Sequence, residues 1–352
     1  MSKRPVRIGF VGLGAMGQCA HLVNYAQLPD CRVVAAAELR PELAKQVAAK
    51  YGIPRVYPSH REMLANEELD GIVASQRFEI HGILVPELLD AGVPVFTEKP
   101  LANTVEAGQK IVKALKRSGT WMMIGYHKRN DPATICAKAE IDRLKKTGEL
   151  GRMNYVRITM PAGDWIAAGF DCMVRTGEAY PELGTVKRPR GMDEAAFKKY
   201  TLFTNYYIHQ VNLMRHLLGE PYKVTFVDKA DKVLCVRSAG GVTGVIEMTP
   251  YSTTREWEES ALVCFEHGYV KLDLPAPLAC NRPGRFEVYR DPSRDKAPER
   301  ISPTLPWVHA MKQQAINFVR SIQGADKPKC GAEEALEDLK VARDYLKLWL
   351  AR

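Results

Sequence analysis

The sequence predicts an α/β protein of two domains: an N-terminal parallel sheet covered by helices on both faces, then an α+β domain with a largely antiparallel sheet. In the first 125 residues, short apolar runs alternate with helical patterns, which is typical of βαβ units. From about Asn154 the apolar runs are longer, are separated by Gly and Pro, and have few helical patterns between them. The length of 352 residues is sufficient for both domains.

The first domain is predicted to span residues 1–125. Its strands are predicted at Val6–Val11, Arg32–Ala37, Gly71–Ala74, Val93–Thr97 and Trp121–Ile124. Helices are predicted between them, including Pro41–Tyr51 and Ala102–Ser118. Asn103 and Glu106 resemble a capping box, which makes Asn103 the predicted N-cap of the second of these helices. Strands linked by helices are expected to be parallel, with right-handed crossovers.

The second domain is predicted to span residues 126–306. Its strands are predicted at Tyr155–Thr159, Lys223–Val227, Val233–Val236, Val242–Met248, Ala261–Phe265 and Tyr269–Leu274. Residues 161–200 are rich in Gly, Pro and charge, and loops of this length are often binding lids. An oligomer arm or a solvated loop is the alternative for this insertion. Two amphipathic helices in residues 307–352 are expected to pack back on the domains.

The composition excludes several classes of protein. Hydrophobic residues form 46% and charged residues 26% of the chain, as in ordinary globular proteins. Lys and Arg exceed Asp and Glu by 50 − 41 = 9, but this surplus is spread along the chain, so no nucleic-acid partner is expected. The eight cysteines lack the spacing of a metal site, and no apolar run resembles a signal peptide or a membrane span. We therefore expect a cytoplasmic protein with reduced thiols and no membrane partner.

A glycine-rich segment, Gly12-Leu13-Gly14-Ala15-Met16-Gly17, follows the first predicted strand and precedes a helical pattern. Its glycines have the spacing of a Rossmann dinucleotide-binding turn: the first makes the turn, the second admits a pyrophosphate, and the third lets helix and strand pack closely. Glu38 ends the second strand, 21 positions after Gly17, where a carboxylate binds the adenosine ribose hydroxyls. This pattern predicts NAD as the cofactor. NADP is less favoured, although Arg40 could pair with its phosphate.

A second motif, Glu98-Lys99-Pro100, follows the strand predicted at Val93–Thr97. Ligands of open α/β sheets bind beyond the carboxyl ends of the strands, so Lys99 is expected at the nicotinamide end of the cleft. A lysine there can hydrogen-bond a substrate hydroxyl. From Lys99 alone, a surface lysine in a loop is the alternative interpretation.

These features resemble the Gfo/Idh/MocA family, named for glucose-fructose oxidoreductase, inositol dehydrogenase and a rhizopine catabolism protein. The resemblance covers nearly the full length of the chain. It includes the glycine turn, Glu38, His81, Glu98-Lys99-Pro100, Lys128-Arg129-Asn130-Asp131-Pro132, Gly268 and the closing helices around Phe318 and Leu346. It implies a Rossmann domain, then an open antiparallel-sheet domain that carries the substrate, and assembly into a homodimer or homotetramer.

The family's third motif, Asp-x-x-x-His, matches Asn205-Tyr206-Tyr207-Ile208-His209, with Asn in place of Asp. Asn212 replaces a second aspartate, three positions after the histidine. Asparagine can orient a histidine or a substrate hydroxyl but cannot take a proton. The resemblance implies that Lys99, His209 and Asn205 are the catalytic residues. In that assignment His209 is the general base, and Lys99 stabilises the developing alkoxide.

Two sets of binding residues are also predicted. The cofactor-binding set is Gly12, Gly14, Ala15, Met16, Gly17, Glu38, Ser75, His81, Glu98 and Lys99. The substrate-binding set is His127, Arg129, Trp165, Asn205 and His209. Trp165 could stack on a pyranose ring, whereas a solvated charged surface is the alternative for residues 127–129. His216 lies near His209 without further ligands at useful spacing, so no metal site is predicted.

The leading functional hypothesis is an NAD-dependent oxidoreductase that acts on a secondary hydroxyl, with ring carbon 3 as the specific candidate. The expected substrate is a pyranose sugar, a glycoside or a cyclitol, and the sugar could carry a negative charge. One alternative is glycoside cleavage by transient oxidation, elimination and re-reduction, with NAD recycled. Another alternative is a non-catalytic regulator that senses NAD or a sugar, which Asn205 keeps open.

Overall fold

The computed structural model describes residues 4–351. The strands of its first sheet are β1 (Val6–Val11), β2 (Cys31–Ala37), β3 (Val56–Tyr57), β4 (Gly71–Ala74), β5 (Val95–Glu98) and β6 (Met122–Gly125). These strands are all parallel and lie in the order β3-β2-β1-β4-β5-β6. The order reverses between β1 and β4, where Rossmann sheets open a crevice for a dinucleotide. The predicted parallel α/β sheet is confirmed.

The helices of this layer connect its strands. They are a π-helical segment (Gly17–Leu22), α1 (Val23–Tyr25), α2 (Pro41–Tyr51), α3 (His60–Asn66), α4 (His81–Leu89) and α5 (Val105–Ser118). The predicted N-cap of α5, Asn103, is wrong by one residue. The Thr104 hydroxyl accepts the Ala107 N–H at 3.0 Å, whereas the Asn103 amide donates to the Val186 carbonyl at 3.2 Å. A tertiary contact thus removes Asn103 from the cap, and the neighbouring threonine takes that role.

The second sheet has eight strands. They are β7 (Met153–Ala162), β8 (Tyr222–Val227), β9 (Val233–Ser238), β10 (Thr243–Ser252), β11 (Glu259–Phe265), β12 (Gly268–Leu274), β13 (Arg285–Arg290) and β14 (Glu299–Ile301). Their order is β14-β13-β12-β11-β7-β10-β9-β8, and every neighbouring pair is antiparallel except β7 and β10. This mixed, mostly antiparallel sheet confirms the predicted α+β character. The remaining helices are a 3-10 turn (His127–Asn130), α6 (Pro132–Thr147), α7 (Glu194–Leu218), α8 (Ala310–Ile322) and α9 (Ala332–Leu350).

The described residues group into two compact units. The first contains the chain up to Tyr126 together with Ala168–Phe197 and Gln314–Leu339, and the second contains His127–Ala167, Lys198–Gln313 and the chain from Lys340. Phe10, Phe96 and Phe318 pack in the core of the first unit, with the rings of Phe96 and Phe318 5.8 Å apart. Most of the predicted insertion therefore groups with the first sheet. Within residues 4–351, no helix has both the length and the apolar character needed to cross a bilayer.

Asp131 opens α6 and is 1% exposed. Its carboxylate accepts the Ala133 N–H at 2.8 Å and the Gly284 N–H at 3.0 Å. Burial raises the pKa of Asp131 from 3.8 to about 6, although these backbone donors and the charge of Lys128 oppose the shift. The folded chain therefore holds a proton that the unfolded chain has already released between these two pH values.

From this pKa we expect Asp131 to make the protein less stable as the pH rises from about 4 to about 6. In Asp131→Asn that loss, about 2–3 kcal/mol from a shift of this size, should be absent. Urea unfolding of both proteins at several pH values measures the difference. A difference between wild type and variant that stays constant across this range would contradict the prediction.

Candidate functional site

The glycine turn after β1 has the shape that a dinucleotide requires. Gly12 has φ of +95°, a left-handed conformation that favours glycine, and a Cβ there would lie 2.6 Å from the Ser75 carbonyl oxygen. A Cβ on Gly17 would lie 2.3 Å from the Gly12 carbonyl oxygen, so the helix packs too closely on β1 for any side chain. A Cβ on Gly14 would meet only Arg40 Nη2, at 4.0 Å. The turn is therefore closed towards the protein at two glycines and open at the middle one.

Gly14→Ala is expected to leave folding intact and to weaken NAD binding. The added methyl has space in the free protein but enters the path of the pyrophosphate, so the dissociation constant should rise about tenfold. Calorimetric titration measures the affinity, and thermal unfolding checks stability. Gly331→Ala is the matched control, because it lies away from the turn in sequence and a Cβ there meets only Glu333 Oε2 at 3.9 Å and the Met122 carbonyl oxygen at 4.0 Å. Equal NAD affinity of wild type and Gly14→Ala would show that the pyrophosphate does not approach this glycine.

Glu38 lies beside the turn and is buried. One carboxylate oxygen accepts the Leu13 N–H at 2.8 Å, and the other accepts the Arg40 backbone N–H at 3.2 Å and its Nε at 2.8 Å. The hydrogen bond that Arg40 donates to Glu38 raises the pKa of Arg40, so the guanidinium stays charged. A carboxylate can accept further hydrogen bonds, so Glu38 remains suited to a ribose hydroxyl. Because Arg40 pairs with Glu38, its charge is partly neutralised before any phosphate arrives.

Glu98 ends β5 and Lys99 follows it; in the sheet order β4 separates β5 from β1 and its glycine turn. Glu98 accepts His21 Nε2 at 2.7 Å, and its other oxygen accepts the Lys99 N–H at 3.1 Å. Burial raises the pKa of Glu98, but the His21 hydrogen bond and the charges of His21 and Lys99 lower it more, so the carboxylate stays ionised. Lys99 itself is half-buried. Glu98 therefore fixes the backbone that carries Lys99.

His81 has a different environment from the other residues of the predicted cofactor set. It is 0% exposed, and its ring nitrogens lie 3.2 Å from the Pro100 carbonyl oxygen and 3.1 Å from the Gln76 carbonyl oxygen. Burial lowers the pKa of His81, which favours a neutral ring. The side chain thus links the loop after β4 to the loop that contains Lys99. The structure gives His81 a bracing role for these two loops.

In the second unit, His209 on α7 lies against His127 of the 3-10 turn. Their rings are 4.6 Å apart between centroids and are oriented edge to face. His127 is buried, His209 is half-buried, and Asn205 is exposed one helical turn before His209. The structure therefore places three of the predicted residues on one region of the second unit. A half-buried imidazole can exchange protons while its orientation is held by packing.

Arg129 and Lys128 are buried side chains of the same turn. Arg129 is 3% exposed, and its Nε donates to Asn212 Oδ1 at 2.5 Å, so this guanidinium is committed to α7. Lys128 pairs with Glu259, which also accepts Gln210 Nε2 at 2.7 Å. The alternative of a solvated charged surface for residues 127–129 is wrong, because all three side chains are buried. Trp165 is exposed at the end of the β7 region, where its backbone carbonyl accepts the Leu278 N–H at 3.2 Å.

Sequence reasoning missed several residues around the turn. Gln18, directly after Gly17, donates to the Leu13 carbonyl at 2.8 Å and to the Val174 carbonyl at 3.1 Å. Gln76 follows β4, and its amide would lie 2.3 Å from a Cβ on Gly12. For Gln18, the only sequence signal of these contacts is its position directly after the last glycine of the motif. Among residues 4–351, no group of three or more His, Cys, Asp or Glu side chains could hold a metal ion.

Comparisons with known proteins support a Rossmann domain in the first part of the chain. Residues 6–126 match the Gfo/Idh/MocA family, described as an oxidoreductase family with an NAD-binding Rossmann fold. An inositol 2-dehydrogenase from Acidothermus cellulolyticus is 33% identical over 149 residues, which cover 42% of this chain and 42% of that protein. A scyllo-inositol 2-dehydrogenase (NAD(+)) from Bacillus subtilis is 25% identical over 231 residues, which cover 65% of this chain and 58% of that protein. The matches thus span about half the length of these curated relatives.

A solved structure extends the similarity of fold to both sheets. The WlbA dehydrogenase from Bordetella pertussis, solved in complex with NADH and UDP-GlcNAcA, matches with a TM-score of 0.70 at 19% identity. The match covers 100% of this chain and 97% of that chain. At this identity it shows a common fold.

Proposed function

We propose that the chain is an NAD-dependent dehydrogenase of a secondary hydroxyl group, because residues 6–126 match the Gfo/Idh/MocA oxidoreductase family. The proposed substrate is a cyclitol, a pyranose sugar or a glycoside, with ring carbon 3 as the candidate position. The observation that carries the proposal is the glycine turn, open at Gly14 and lying beside the buried carboxylate of Glu38. The two curated relatives are named inositol dehydrogenases, which supports a cyclitol or a similar polyhydroxylated ring.

The residues of the turn fit NAD. A Cβ would fill the space at Gly14 that a pyrophosphate needs, and Glu38 supplies acceptors for ribose hydroxyls. The Glu38 carboxylate favours NAD over NADP, because it repels a 2′-phosphate. Arg40, which could attract that phosphate, is paired with Glu38. When bound, NAD supplies the acceptor for the hydride that leaves the carbinol carbon.

The chain's own side chains would handle the proton. We assign His209 as the general base that accepts the hydroxyl proton, because imidazole titrates near neutral pH. Lys99 would donate a hydrogen bond to the same oxygen and stabilise the developing alkoxide. Asn205 would orient the substrate hydroxyl or His209 by hydrogen bonding alone. The proposal requires Lys99 and His209 to act on one substrate oxygen.

The experiment is a screen of cyclitols, aldoses, sugar acids and glycosides with NAD. We expect NADH absorbance to rise with at least one of them, and mass spectrometry to detect a product two hydrogens lighter. Gly14→Ala serves as the control with impaired cofactor binding. Release of an aglycone without accumulation of NADH would replace simple oxidation by the redox-neutral cleavage reaction. Failure of the purified protein to bind NAD would overturn both.

A further inference from the structure

Residues 168–197, which we call the strap, are hydrogen-bonded to the segments that follow two neighbouring strands, β1 and β4. At one end, the Val174 N–H donates to Gln18 Oε1 at 2.9 Å, and the Gln18 amide donates back to the Val174 carbonyl at 3.1 Å. Gln18 is 1% exposed and lies in the helical segment that follows the glycine turn. At the other end, the Val186 N–H donates to the Glu79 carbonyl at 3.0 Å. The strap is therefore fixed on both sides of the crevice between β1 and β4.

Between these ends the strap caps α2. Glu178 accepts the Glu42 N–H at 3.0 Å and the Leu43 N–H at 2.8 Å. These are first-turn amides that have no partner within the helix, and the N-cap residue Arg40 supplies no side-chain cap. Burial raises the pKa of Glu178, but the two backbone donors and Thr176 lower it more, so the carboxylate stays ionised. An ionised carboxylate is favoured at a helix N-terminus.

Tyr180 then crosses the crevice. The Arg40 guanidinium carbon lies 5.2 Å from the centre of the Tyr180 ring, and the Tyr180 hydroxyl donates to Gln76 Oε1 at 3.3 Å. Arg40 follows β2 and Gln76 follows β4, and these strands flank β1 on its two sides. A ring that contacts both residues spans the position above β1, where the glycine turn begins. Glu38 and Arg40 mark this end of the crevice as the adenosine end.

We propose that the strap closes over the adenosine half of bound NAD and that Tyr180 retains the cofactor, an inference that rests on the proposed function. The Tyr180 ring lies against the Arg40 guanidinium at the ribose end, and its hydroxyl reaches Gln76 on the opposite side. Adenosine bound there lies between the glycine turn and the strap, so NAD leaves only when Tyr180 separates from Arg40. The strap determines how long one cofactor molecule stays bound.

The test measures the release rate of NADH from the full chain by its fluorescence, with excess NAD as competitor. We expect Tyr180→Ala to release NADH about tenfold faster than wild type, because the stacking contact is lost. Tyr180→Phe should stay within about twofold, because the ring remains and the hydroxyl contact is long. Tyr251→Ala is the matched control, since Tyr251 is an exposed tyrosine of the second unit. Thermal unfolding confirms that all three variants fold.

The outcomes separate this inference from the proposed function. If wild type binds NADH and Tyr180→Ala releases it at the same rate, the strap does not retain the cofactor, although the proposed function stands. Tighter binding by Tyr180→Ala would also overturn the inference, because Tyr180 would then occupy the adenosine site. If wild type binds no NADH, the proposed function and the inference both fail.

Discussion

His209→Ala is expected to lower kcat for hydroxyl oxidation by about 10²–10⁴-fold while leaving NAD affinity nearly unchanged. The imidazole is the proposed proton acceptor, and it is packed edge to face on His127 with a centroid distance of 4.6 Å. Removing it leaves Lys99, which as an ammonium group can donate a hydrogen bond but cannot accept the proton. Steady-state kinetics with the substrate found by screening measures kcat, and calorimetry measures NAD affinity.

The pH profile distinguishes a general base from a structural histidine. Wild-type kcat/KM should rise with pH through the titration of one group. This rising limb of the pH profile should be absent in His209→Ala. His216→Ala is the control, because His216 lies on the same helix and is half-buried like His209. An unchanged pH limb in His209→Ala would assign the proton transfer to another group. Equal losses in both histidine variants would indicate that α7 has been disturbed.

Glu259→Leu is expected to destabilise the second unit by about 3–5 kcal/mol, because it leaves a buried ammonium without its partner. The side chains of Lys128 and Glu259 are 4% and 0% exposed and form an ion pair. Glu259 also accepts Gln210 Nε2 at 2.7 Å and Trp257 Nε1 at 3.3 Å. Its removal therefore affects the turn that carries His127 and the helix that carries His209. Urea unfolding followed by tryptophan fluorescence measures the loss.

The double variant Lys128→Met, Glu259→Leu is the matched control. It replaces both charges with apolar side chains, so no buried charge is left unpaired, and most of the lost stability should return. If the double variant is as unstable as Glu259→Leu, the cost comes from packing or from the Gln210 hydrogen bond. A single variant as stable as wild type would show that Lys128 reaches water without Glu259.

Strands with a continuous apolar run were predicted well. β1 and β4 are buried along nearly their whole length, and both were predicted with their observed limits. β13 was missed, although Phe286 and Val288 alternate with polar side chains along its six residues. β3 and β14 were also missed, because they have two and three residues and are mostly exposed. A strand this short has no periodicity, and only pairing with its neighbour defines it. The pairing of β7 with β10 was likewise not predicted, because strand direction depends on contacts distant in sequence.

The candidate site was predicted where local geometry sets the residue type. Gly12 and Gly17 have steric reasons to be glycine that the motif spacing already contains. The direction in which a side chain faces was harder to predict. His81 stays a predicted cofactor residue, and the enclosure of its ring by backbone carbonyls was not predicted, because the sequence does not show which face of α4 is buried. The strap gave no periodic signal, since its contacts use backbone amides, one carboxylate and one aromatic ring.

The parallel pairing of β7 with β10 has a consequence for synthesis of the chain. Tyr155 pairs with Thr243, a separation of 243 − 155 = 88 residues, and the other neighbour of β7 is β11, which comes later still. As the polypeptide leaves the ribosome, β7 therefore has both edges exposed until α7, β8 and β9 have also emerged. A ribosome pause within this interval would prolong the exposure of two strand edges, which are surfaces prone to aggregation.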